Sequence, residues 1–121
     1  MFLFRRIWYS IFPLKMDADY QVSEEASLKR LEELKGQNTL TWLGHASFLI
    51  QLNGKNILTD PHLTQFAAPV PMTGPWRFSP PGISIENLPP IDMVVISHDH
   101  YDHLSASTLD SLQNKENIDV L

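Results

Sequence analysis

The apolar positions change period several times after residue 22, and each change marks an element. Leu28, Leu31 and Leu34 recur at helical spacing between Ser23, a capping side chain, and Gly36, suited to a left-handed end. They predict a helix from Glu24 to Lys35, with Glu25 and Lys29 placed to pair one turn apart. Thr39 to Leu43 and Ser47 to Leu52 read as strands joined by Gly44-His45-Ala46. Asn53-Gly54 is a two-residue hairpin signal, because both residues tolerate positive φ, so Asn56 to Thr59 is expected as an antiparallel return strand. Met93-Val94-Val95-Ile96 predicts a buried strand. A short helix follows, capped by Ser105 or by Ser107, the latter with Asp110 three residues on in a variant capping box. Its Leu109 and Leu112 face inward, and Asn117 to Leu121 begins another strand.

Two stretches lack a period. Leu63 to Pro90 holds seven prolines and reads as a long loop, of the kind that serves as a lid or stays poorly ordered. Phe66, Trp76 and Phe78 are its apolar anchors and Arg77 its one cation. Met1 to Lys15, MFLFRRIWYSIFPLK, is dense in aromatics around Arg5-Arg6. It suits either an interfacial anchor or packing over the rest of the protein. As a signal peptide it is poor, since Pro13 interrupts the apolar core and no small-residue cleavage site follows. Residues 1–22 are therefore set apart as an aromatic and basic segment ahead of a domain over residues 23–121.

Composition narrows the classes. A length of 121 residues suits one small domain, and an apolar share of 43% suits a globular chain. The net charge of −5 offers no basic face to nucleic acid. With no cysteine, disulfides and thiolate metal sites are excluded, so any metal must be held by nitrogen and oxygen. No apolar run approaches the roughly 18 residues a membrane span needs. The expected location is cytoplasmic, with peripheral membrane contact left open.

Against this background one stretch stands out: Ser97-His98-Asp99-His100-Tyr101-Asp102-His103, directly after the apolar run that ends at Ile96. Three of the five histidines and two acids fall within six residues. In extended backbone His98 and His100 leave one face, and a turn can swing Asp102 and His103 to a second nearby point. Imidazole and carboxylate are ligands that borderline divalent metals such as Zn²⁺ accept at roughly 2.0–2.2 Å. Two pairs at this spacing suggest two metal ions side by side. The other reading, surface histidines in a polar turn, leaves five ligand-capable groups crowded together without gain.

The run SHDHYDHL resembles the HxHxDH signature of the metallo-β-lactamase superfamily. LTWLGHASFLIQ (residues 40–51) and ILTDP (57–61) are similar to the branch that holds N-acylphosphatidylethanolamine phospholipase D, RomA-like proteins and ascorbate-phosphate lactonases. GPWRFSPPG (74–82) resembles its phospholipase D and RomA side. The likeness covers roughly residues 39–112. It implies an α+β fold, the N-terminal αβ half of a four-layer αββα sandwich. Because the family's later ligands, two histidines and a bridging aspartate, have no counterpart after His103, the chain is expected to be a truncated portion.

The resemblance also implies roles. His98 and His100 would hold one zinc ion, Asp102 and His103 would help hold another, and Asp102 would also orient the nucleophile. Asp60, which otherwise reads as a turn residue before Pro61, would orient the histidine loop by hydrogen bonding. His45 could contact substrate or simply bond the backbone; Arg77 could pair with a phosphate or with a nearby acid. His62 is expected at the surface. The activity implied is hydrolysis of a phosphodiester, small or lipid-like, by a metal-activated hydroxide, with a lactonase as the alternative. A different class stands beside these, an inactive metal-binding fragment or half of a split enzyme. Half a sandwich exposes an apolar sheet face, so self-association or a complementary C-terminal half is the expected partner.

Overall fold

The computed structural model describes residues 21–68 and 76–121. The aromatic N-terminal segment therefore lies almost wholly outside the described residues, as do Gly74 and Pro75 of the proline-rich stretch. Helix α1 (Glu24–Glu33) leads into a five-stranded sheet of β1 (Thr39–Gly44), β2 (Ser47–Leu52), β3 (Lys55–Thr59), β4 (Met93–Val95) and β5 (Asp119–Val120), ordered as in sequence. A short helix, α2 (Ala106–Ser111), joins the last two strands. Strands β1, β2 and β3 pair antiparallel, while β4 and β5 join parallel to β3.

Local chemistry accounts for the element ends. Ser23 caps α1 by accepting from the Ala26 N–H, and Gly36 adopts φ +82° beyond it. The helix stops at Glu33, two residues short of the expectation, and its ion pairs are Arg30–Glu33 and Lys35–Glu32 rather than Glu25–Lys29. A connection absent from the sequence pattern fixes its start: Glu24 Oε1 accepts from the Ser84 N–H at 2.7 Å and from Asn87 at 3.1 Å. The bonds from Ser84 and then Asn87 hold this carboxyl below its usual range. The Asn53-Gly54 turn has φ of +51° and +78°, as a two-residue hairpin requires. Of the two capping serines, Ser105 caps α2, accepting from the Thr108 N–H; Ser107 lies inside the helix, so the Ser107–Asp110 box does not form.

Register explains which face is buried. Thr41, Leu49, Leu58 and Val94 align across four strands, and the last three are fully buried with Leu43, Ile83 and Leu112 nearby in the core. Leu28 and Leu31 of α1 and Leu109 of α2 pack against this core. The alternate row, Leu40, Ile50, Ile57 and Met93, points to the opposite face, where Leu40 and its neighbour Trp42 are exposed.

The proline-rich stretch departs from the picture of a lid. Leu63, Ile83 and Leu88 are core residues, and Ile85–Asn87 forms a 3-10 turn. The expected anchors Trp76 and Phe78 are instead largely exposed, although Trp76 stacks edge-on against Phe66 with centroids 4.8 Å apart. No helix among the described residues is long and apolar enough to cross a membrane.

Leu58→Ala removes a fully buried side chain from the central strand and is expected to cost about 2–5 kcal/mol of unfolding free energy, against under about 0.5 for Leu40→Ala. Urea titration of both variants checks this, and equal losses would contradict the assigned core face.

Candidate metal centre

The site forms where β1, β3 and β4 deliver their ends. Strand β4 stops at Val95, and His98 to His103 lie beyond it, with a turn over residues 101–103. The turn is closed by the His103 and Leu104 amides, which both donate to the His100 carbonyl. It brings three rings together: His98 and His100 with centroids 4.5 Å apart, and His98 and His103 at 4.0 Å.

Asp60 holds this loop. It follows β3 with φ +40°, in the left-handed region that Asp visits more readily than most non-glycine residues. Here the Asp60 N–H donates to the Val95 carbonyl, and its own carbonyl accepts from Ser47 Oγ at 2.7 Å. Its carboxylate accepts from the Ser97 N–H at 2.7 Å, the Ser97 hydroxyl at 2.8 Å and His103 Nδ1 at 3.0 Å. Burial opposes its ionisation, yet the bonds from Ser97 and His103 outweigh that and hold the carboxyl below its ordinary value. With Nδ1 engaged, His103 presents Nε2 to the site.

His45 arrives from the β1–β2 turn, where Gly44 pairs with Ser47. Gly44 sits at φ +115°, and a Cβ there would come within 2.5 Å of Arg77 Nη2, so only glycine fits. His45 itself has φ +51°, and its carbonyl accepts from Trp42 Nε1 at 2.9 Å. Its Nε2 lies 3.0 Å from Asp102 Oδ2, which is 3.8 Å from His103 Nε2. Among the described residues, His45, Asp102 and His103 form the group of three whose donor atoms all fall within 4.8 Å of one another. His98 and His100 adjoin this group without joining it. Burial works against the charge on Asp102, but its own backbone N–H and the neighbouring His103 and His45 prevail and lower its pKa. The donors are imidazole nitrogens and a carboxylate, and one ring is oriented by a second carboxylate; this arrangement fits a divalent metal.

Two expectations need correction. Arg77 pairs with no acid among the described residues: its guanidinium donates to the carbonyls of His62 and Leu43, bracketing the site's walls. His62 is not at the surface but 4% exposed, because its N–H donates to Ser47 Oγ and its carbonyl is held by Arg77. Its Nδ1 is buried with no hydrogen-bond partner among the described residues. Both residues line a cleft of about 310 Å³ with His45, Trp76, Phe78 and Asp102. The sequence carries one signal for His62, its place after Asp60-Pro61; Ser97, by contrast, is legible only once Asp60 is seen beside it.

A mixed sheet whose strand ends converge on a His/Asp loop matches part of a metallo-β-lactamase-fold domain. The chain belongs to that family: the model described as beta-lactamase superfamily domain matches residues 39–121. It is 45% identical over 74 residues to N-acyl-phosphatidylethanolamine-hydrolyzing phospholipase D 1 of Caenorhabditis elegans, covering 61% of this chain and 21% of that protein. It is 42% identical over 73 residues to an uncharacterised protein of Mycobacterium tuberculosis, covering 60% and 20%. To a UPF0173 metal-dependent hydrolase of Caldivirga maquilingensis it is 34% identical over 82 residues, covering 68% and 30%. The chain thus spans between about a fifth and a third of the length of these relatives.

Burial, then the Arg77 cation and the neighbouring His45, push the His62 pKa down from 6.5 to about 4. The unfolded chain therefore takes up a proton near pH 6.5 that the folded chain refuses until about pH 4. Stability from this group is full above 6.5 and falls as pH drops toward 4, by about 3 kcal/mol over the whole interval. The lowered carboxyl groups of Asp60 and Asp102 lose their contribution only below the ordinary carboxylate range, outside this window. Urea midpoints for the metal-free chain should decline between pH 7 and 5, and His62→Leu should flatten that slope. An unchanged slope would contradict the assignment.

Proposed function

We propose that this chain carries the first metal-binding half of a zinc-dependent phosphodiester hydrolase of phospholipase D type. His98 and His100 hold one ion and Asp102 and His103 a second, with Asp60 orienting the His103 ring. The observation that carries the reading is the 3.0 Å bond from His103 Nδ1 to Asp60, which leaves Nε2 free as a ligand atom. Divalent ions bound there supply Lewis acidity and make a water acidic enough to act as nucleophile near neutral pH. Asp102 also orients the attacking water through its carboxylate. Arg77 and His45 line the adjoining cleft, and the Arg77 cation draws an anionic phosphodiester toward it although its fork is spent on backbone carbonyls. Exposed Trp76 and Phe78 on the same cleft suit a lipid-like substrate.

The phospholipase D name of the Caenorhabditis elegans relative supports the phosphodiester. A lactonase is the second reading, because the same donor set polarises a lactone carbonyl. To separate them, the zinc-loaded chain is assayed on bis(p-nitrophenyl) phosphate and on a simple lactone. Phosphodiester cleavage that falls roughly 100-fold or more in Asp102→Asn is the expected result. Lactone turnover alone would favour the second reading, and zinc binding with neither activity would leave a metal-binding fragment.

A further inference from the structure

We propose that His45 is itself a metal ligand, so that His45 Nε2, Asp102 Oδ2 and His103 Nε2 form a three-donor site for a zinc-like divalent cation. The inference rests on the reading of Asp102 and His103 as ligands and adds a donor that the HxHxDH loop does not contain.

The distances carry it. Donors around a four-coordinate ion at roughly 2.0–2.2 Å stand roughly 3.3–3.6 Å from one another along each edge. Asp102 Oδ2 lies 3.0 Å from His45 Nε2 and 3.8 Å from His103 Nε2, on either side of that edge length. The third edge closes within the 4.8 Å that bounds the whole group. Small side-chain rotations bring all three onto one ion, which takes the place of the hydrogen bond between His45 and Asp102.

The backbone around His45 is arranged to hold this ring where it is. Two consecutive positive φ values, +115° at Gly44 and +51° at His45, turn the chain sharply between β1 and β2. Trp42 Nε1 fixes the His45 carbonyl on one side, and the Gly44–Ser47 pair closes the turn on the other. The ring also meets His103 edge-on, with centroids 5.4 Å apart. His45 and Asp102 are partly open, with side chains 49% and 41% exposed, and both border the cleft with Trp76 and Phe78. An ion held there would lie open to the cleft. Two imidazoles and a carboxylate favour zinc over magnesium or calcium, which prefer all-oxygen sites.

A histidine that only hydrogen-bonds Asp102 would look similar without metal, so the test must see the bond to the ion. The whole 121-residue chain, with ¹⁵N-labelled histidine, is titrated with ¹¹³Cd²⁺, and a one-bond cadmium–nitrogen coupling is sought at His45 Nε2. In parallel, calorimetric zinc titrations compare the chain with His45→Gln and with His98→Ala/His100→Ala. The expected result is a coupling at His45, a zinc affinity in His45→Gln lowered beyond the roughly 10- to 100-fold that loss of an outer-shell partner costs, and a site retained in His98→Ala/His100→Ala. Cadmium coupled to His103 but not to His45 would overturn the inference and leave the two-ligand reading standing. No cadmium or zinc taken up at all would overturn both.

Discussion

The carboxylate of Asp60 is the point on which the rest of the site depends. It follows β3 directly and grips the first residue of the histidine loop through both the amide and the hydroxyl of Ser97. It also orients His103, 43 residues away in sequence. Its backbone completes the junction, donating to Val95 at the end of β4 and accepting from Ser47 at the start of β2. One residue therefore ties three strand ends to the loop and decides which nitrogen of His103 is free. Its buried charge is tolerable because it accepts three hydrogen bonds, the condition under which a carboxylate can leave water.

The sheet makes that junction possible. A parallel β3–β4 pair puts the ends of both strands at the same edge, so Asp60 and Ser97 emerge side by side. The antiparallel β1–β2 turn reaches the same edge and brings His45 to Asp102. Ser47 serves two masters there, donating to Asp60 and accepting from His62. Arg77 locks the wall from the other side by bridging the carbonyls of Leu43 and His62. The site is thus built from strand termini and turns on a rigid sheet, where a binding centre can be held in place without loss of core packing.

Much of this was legible in the sequence where the causes are local. Asn53-Gly54, Ser23, Ser105 and the apolar run at 93–96 each act on their immediate neighbours, and each element formed within a residue or two of expectation. The proximity of the His98, His100 and His103 rings was legible for the same reason. What could not be read depends on partners far along the chain. His62 is buried by Ser47 and Arg77, Glu24 is tied to Ser84, and the proline-rich stretch yields Ile83 and Leu88 to the core. His45 and Asp102 are 57 residues apart, and no periodicity or short motif announces that their side chains meet.

The most direct measurement is the metal content of the purified 121-residue chain by elemental mass spectrometry, set beside a His98→Ala/His103→Ala double variant. The account predicts zinc bound to the chain in whole-number stoichiometry and largely lost in the variant. Zinc absent from the chain, or retained unchanged in the variant, would contradict it.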